Sequence, residues 1–258
     1  MGENKGGSGP LVVHELKDGL ATVTLASPPH NILTMAMLDE VRAAVEASGD
    51  AKVLLIRAEG KNFSAGADVG EHLADKVRDM LAAFHGALKA IAAYPGVTVA
   101  AVDGAALGGG CELVAVCDVV LASDRAALGQ PESLLGVIPP VAAVVWPRIL
   151  GYRKALELII SGERIPADKA LELGLVNHVF PAADFQSEVE KYVGGLMTKS
   201  GAMMAHAKRS CLAGQSGPFE RAVDEVESIY LDSLMKSHDA EEGLKAFLEK
   251  RKPEWQDK

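Results

Sequence analysis

The sequence predicts an α/β fold built on a mainly parallel sheet and completed by a helical C-terminal region. Three observations carry that prediction. Residues 53–56, 97–102 and 119–122 are short runs apolar on both faces, as buried parallel strands are. Val77, Leu81, Phe84, Leu88 and Ile91 mark one face of a long amphipathic helix stopped by Pro95-Gly96, so strand and helix alternate as βαβ crossovers require. After Pro139-Pro140 the β signal fades, and residues 152–160, 167–173 and nearly all of 185–250 are helical in pattern. The expected division is a disordered leader at 1–10, an α/β core at 11–190 and a helical region at 191–258.

In chain order, residues 11–15 and 20–25 read as a hairpin around Asp18-Gly19, ended by Ser27-Pro28-Pro29. Thr34 is placed to cap a helix carrying Leu38, Val41 and Val45, with Gly49 past its end. Residues 62–68 follow the 53–56 strand as a loop. The 97–102 strand then runs into Gly108-Gly109-Gly110, a triplet that breaks the strand and opens a helix.

The chain has 258 residues, with 35 acidic and 26 basic side chains and a formal charge of −9, which argues against nucleic acid as a partner. Its three cysteines, Cys111, Cys117 and Cys211, show no metal or CxxC spacing and read as reduced, mostly buried thiols. No apolar run is long enough to span a membrane, and the Gly/Ser/Lys-rich leader lacks a signal-peptide core. A cytoplasmic location is the expectation. Seven histidines are scattered without metal spacing, so no metal is expected; His72 and His85 read as helix-surface or core residues.

The chemistry concentrates in two places. The triplet fails the dinucleotide fingerprint, because Leu113 stands where its third glycine belongs, and no Lys-Ser/Thr makes it a phosphate loop. It is then either a tight strand-to-helix turn or a site where a ligand carbonyl approaches N–H groups at a helix N-terminus. Glu112 follows within one turn among apolar neighbours, where an ionised carboxylate needs partners. Glu132 sits in the Gly129-Gln130-Pro131-Glu132 loop. Taken singly, each glutamate is unremarkable: a dipole-satisfying Glu and a loop Glu. Together with the glycine turn they make an acid/base pair beside an oxyanion hole. Ser64 is not a nucleophile elbow, since Asn62 stands where glycine should. Its loop is useful instead for a second N–H, that of Ala67, converging with Gly109.

These residues resemble the crotonase (enoyl-CoA hydratase/isomerase) superfamily. The resemblance runs through residues 63–68, Gly108 to Leu113, Cys117-Asp118, Gln130-Pro131-Glu132, residues 136–139, 162–165 and 170–176, and the tail 242–251. It implies a spiral of ββα units, a helical trimerisation region, and a homo-oligomer that is a trimer or a dimer of trimers. It further implies an acyl-CoA thioester substrate, an oxyanion hole from the N–H groups of Ala67 and Gly109, and catalytic glutamates at Glu112 and Glu132. Coenzyme A is then part of the substrate and no separate cofactor is required. The substrate-binding positions it suggests are Ser64, Ala65, Asp68, Gly108, Pro140, Val141, Trp146 and Lys250. Lys250, Arg251 and Lys252 are candidates for the CoA phosphates, or equally a solvated basic helix end.

Residues 140–147 depart from the Gly-rich segment of most hydratases and imply a more apolar acyl pocket. This segment, residues 69–72 and the tail 230–240 are similar to cyclohexa-1,5-diene-1-carbonyl-CoA hydratases. The resemblance therefore implies a hydro-lyase, with a straight-chain enoyl-CoA hydratase or isomerase as the alternative. A non-catalytic binding member of the superfamily is a third reading, disfavoured by the intact glycine turn and both glutamates.

Overall fold

The computed structural model describes residues 9–73, 75–215 and 219–258; residues 1–8 of the expected leader lie outside them. Strands β1 (Val12–Lys17) and β2 (Leu20–Leu25) form the expected hairpin, with positive φ at Asp18 and Gly19. Helix α1 (Met35–Ala47) is capped by Thr34, whose hydroxyl accepts from Met37 N–H at 3.3 Å. Strand β3 (Val53–Ala58), helix α2 (Val77–Ala92) and strand β4 (Val97–Val102) complete the first crossover. Helix α3 (Gly109–Ala115) and strand β6 (Val119–Ser123) follow, with a short β5 (Ala105–Leu107) between β4 and α3.

Strands β1, β2, β3, β4, β6 and β9 (His178–Phe180) form a six-stranded sheet in that order, parallel except for the β1–β2 pair. The period-2 alternation of its central strands feeds two cores. Leu54, Ile56, Ala100 and Val102 face the larger one, with α1, α2 and α3. Val53, Leu55, Val99, Ala101 and Leu121 face the smaller one, against Phe185, Val189 and Val193 of α7 (Phe185–Met197) and Met204 of α8 (Gly201–Ala213). Position 190 lies inside α7, so the helical region is built onto the sheet and shares its core.

Two strand expectations need correction. The chain does not pass straight from β4 into the glycine triplet: it turns at Gly104 (φ 77°) and enters a second, three-stranded sheet of β5, β7 (Ala127–Gly129) and β8 (Arg164–Pro166). The region after Pro139-Pro140 also holds β8 and β9. These strands have three residues each, too short for a period to register in sequence. The remaining helices are α4 (Ala142–Leu150), α5 (Tyr152–Ser161), α6 (Ala167–Glu172), α9 (Phe219–Asp232) and α10 (His238–Glu249). Among the described residues no helix is long and apolar enough to cross a membrane.

Candidate active site

Register in the small sheet is what joins the two sequence features. Strands β5 and β7 run parallel with Leu107 opposite Gly129, so Gly108 and Gln130 leave the sheet side by side, and Gly108 N–H donates to Gly129 O at 2.9 Å. A bridge between Ser64 and Ala106 lays the 64–67 loop along the other edge of β5. Twenty and forty residues of separation collapse into one site.

Gly108 has φ 52°, and a Cβ there would lie 2.6 Å from Glu132 Oε1, so the carboxylate rests directly on the glycine backbone. A Cβ on Gly109 would meet Phe84 Cε2 at 2.9 Å and Ala67 N at 3.3 Å, which puts the Ala67 and Gly109 amides side by side. Among the described residues neither N–H donates to a carbonyl of the chain. Gly109 opens α3, where orphan N–H groups and the helix dipole favour negative charge.

Glu112 is 2 % exposed, and its Oε1 accepts the N–H groups of Val141 at 2.6 Å and Ala142 at 2.9 Å, the first donors of α4. Burial pushes its pKa up to about 7; the nearby Glu132 charge adds to the rise, and the two N–H bonds oppose it. Glu132 sits on a one-turn 3-10 segment, Pro131–Leu135, and burial raises its pKa too, partly offset by its own backbone N–H and by His72. The fully buried Gln130, with its amide nitrogen turned to its acceptors, reaches Glu132 Oε2 at 3.2 Å and Gly108 O at 3.3 Å.

All four principal residues, Glu112, Glu132, Ala67 and Gly109, border one cavity of about 490 Å3, together with Ala65, Gly108 and Pro140. Its walls are otherwise largely apolar: Val77, Met80, Leu81 and Phe84 from α2, and Leu135, Val137 and Ile138 from the 131–138 loop. Such a cavity can hold an apolar group whose polar end meets two backbone donors and two carboxylates that titrate above the usual range.

Five expected substrate contacts stand elsewhere. Ser64 is fully buried behind the cavity; its hydroxyl donates to Asn31 O (2.8 Å) and accepts from Gly66 N–H (3.1 Å), which fixes the donor loop. Asp68 caps the Val69–His72 3-10 turn through Glu71 N–H at 3.1 Å. Val141 acts on Glu112 through its backbone. Trp146 is 1 % exposed and lines a separate cavity of about 120 Å3 with Cys111, Cys117 and Asp118, because α4 turns that face inward. Lys250 ends α10 in a left-handed conformation and does not line the cavity, and neighbouring Arg251 is paired with Glu242 and Glu249. Of the cysteines, Cys111 is buried, Cys117 partly so, and Cys211 exposed, against the expectation of mostly buried thiols. His72, read from the sequence as a helix-surface or core residue, lines the cavity, and residues 135–138, not named there as substrate contacts, form part of its wall. The α2 stripe was visible, but as core packing. Among the described residues no three His, Cys, Asp or Glu side chains cluster to hold a metal ion.

Comparison with known proteins gives matches along nearly the whole chain. The family model described as enoyl-CoA hydratase/isomerase matches residues 15–258. A cyclohexa-1,5-dienecarbonyl-CoA hydratase of Thauera aromatica is 35 % identical, covering 97 % of this chain and 98 % of its own length. A probable enoyl-CoA hydratase of Bacillus subtilis is 36 % identical over 92 % of this chain and 95 % of its own. The solved enoyl-CoA hydratase subunit I of Geobacillus kaustophilus superposes with a TM-score of 0.89 at 32 % identity, covering 96 % of this chain and 98 % of that one. The family model and these full-length matches lead to one conclusion: the chain belongs to the enoyl-CoA hydratase/isomerase family.

Proposed function

We propose that this protein is a hydro-lyase that adds water to a conjugated acyl-CoA thioester, and that its substrate is cyclohexa-1,5-diene-1-carbonyl-CoA. The observation that carries the reading is the meeting, in one apolar cavity, of two carboxylates and two N–H groups that have no carbonyl partner among the described residues. The thioester oxygen accepts from Ala67 and Gly109, which stabilise the dienolate formed as water attacks the β-carbon. Glu112 takes the proton from that water; its two backbone donors favour the anion, and a pKa near 7 suits a general base at neutral pH. Glu132 delivers a proton at the far end of the diene, giving 6-hydroxycyclohex-1-ene-1-carbonyl-CoA by 1,4-addition. Coenzyme A enters with the substrate, and the reaction as written needs no metal or redox cofactor.

The apolar wall from α2 and residues 135–138 supports a compact ring over a polar acyl group, as does the likeness to the Thauera aromatica enzyme. The test is a panel of acyl-CoA esters with product identification. The cyclic diene should be hydrated fastest, and Glu132→Gln should lower kcat by about 10²–10⁴-fold with little change in KM. Crotonyl-CoA turned over faster than the cyclic diene overturns the substrate assignment in favour of a general enoyl-CoA hydratase. A homotrimer or dimer of trimers and a cytoplasmic location complete the proposal.

A further inference from the structure

One polar side chain in the cavity has no part in the mechanism above. His72 ends the Val69–His72 turn, is half-buried, and lines the cavity with Glu132. Its Nδ1 lies 2.8 Å from Asp68 O. A carbonyl oxygen only accepts, so Nδ1 must carry the hydrogen, and Nε2 is left as the atom that gains or loses a proton. Among the described residues Nε2 has no hydrogen-bond partner.

We propose that His72 is the positioning residue that restores the proton to Glu132 between turnovers, an inference that rests on the hydratase reading of this site. Each hydration leaves Glu132 ionised and Glu112 protonated, so the enzyme must move one proton before the next cycle. The Nε2–H bond of an imidazolium at His72 breaks and an O–H bond forms on Glu132, leaving neutral imidazole and neutral carboxylic acid. Solvent reprotonates Nε2, and Glu112 returns its proton to solvent, so no net charge accumulates.

The surrounding charges fit this assignment. His72 is close enough for its charge to act on Glu132, where it favours the ionised form. On its own turn, Glu71 is turned away to Met35 N–H at 2.9 Å, and Asp68 is held by Glu71 N–H. Asp75 and Lys76 before α2, and Arg78 and Asp79 in its first turn, are exposed. Glu112 shares the cavity but is bound to the α4 N-terminus. Of the two glutamates that line the cavity with His72, Glu132 is the one not held by the α4 N-terminus.

The experiment uses the full chain and two variants, with the cyclic dienoyl-CoA as substrate. His72→Asn keeps an N–H for Asp68 O and deletes the titrating nitrogen; His72→Ala deletes both and leaves room for added imidazole. Both should lose kcat by roughly tenfold, below the full effect of an acid/base group, with KM unchanged within about twofold. Imidazole should restore His72→Ala and leave wild type unaffected. Full kcat in His72→Asn, or a loss in His72→Ala that imidazole does not reverse, overturns the inference while leaving the hydratase reading intact. A wild-type protein that hydrates no acyl-CoA ester sinks both.

Discussion

Replacing Glu112 with glutamine separates the carboxylate's effect on the fold from its effect on turnover. A carboxylate whose pKa is raised by folding binds its proton more tightly in the native state, so it contributes stability below its unfolded pKa and loses it as pH rises through the folded one. For Glu112 that window runs from 4.5 to about 7. At about 1.4 kcal/mol per pH unit, the ionised side chain destabilises the fold by about 3 kcal/mol at pH 8 and under about 1 kcal/mol at pH 5. Glutamine keeps an oxygen for Val141 and Ala142 N–H and carries no charge. Glu112→Gln should therefore melt roughly 5–10 °C above wild type at pH 8, with the gap closing towards pH 5. The same variant should lose about 10²–10⁴-fold in kcat, and the wild-type kcat/KM should fall as pH drops below about 7. Thermal melts by circular dichroism at both pH values, beside loss of the conjugated thioester's ultraviolet absorbance, measure the two effects. A variant less stable than wild type at pH 8, or a gap independent of pH, refutes the reasoning.

Three further outcomes follow from contacts. Gly109→Ala places a Cβ 2.9 Å from Phe84 Cε2 and 3.3 Å from Ala67 N, crowding the paired donors; kcat should fall by about 10²–10³-fold, the worth of one oxyanion donor. Gly194→Ala on α7, with nothing within 4 Å of the new Cβ, is the control and should leave kcat alone and stability equal or slightly higher. Lys208 ties α8 to the sheet: Nζ lies 2.8 Å from Asp118 Oδ2 and donates to Tyr94 O and Gly96 O. Lys208→Met should lower stability by about 2–3 kcal/mol in urea unfolding, less than a fully buried pair because Asp118 keeps Thr98 as donor, and should leave turnover unchanged.

The reading of Thr34 as a helix cap rests on chemistry within a few residues, and it matches the structure; so do the α1 and α2 stripes and the apolar cores of β3, β4 and β6. Local pattern suffices because each signal repeats along its own element. Strands β5, β7 and β8 were not legible, since three residues carry no period and their pairing is wholly non-local. Trp146 shows the same limit: an aromatic in a divergent segment is visible in sequence, but which cavity it lines depends on how α4 is rotated.

By itself, then, the sequence determined the residue types that a thioester hydration site requires, the glycine turn and two carboxylates, because backbone freedom and acid/base chemistry are properties of the residues themselves. Tertiary structure decided their environment. Parallel pairing of β5 with β7 set Glu132 on Gly108, the α4 N-terminus took hold of Glu112, and burial lifted both pKa values. It also turned His72 into the cavity, a placement that depends on the Asp68 carbonyl and on a wall assembled from distant segments. Distances and desolvation arise only when remote parts of the chain meet.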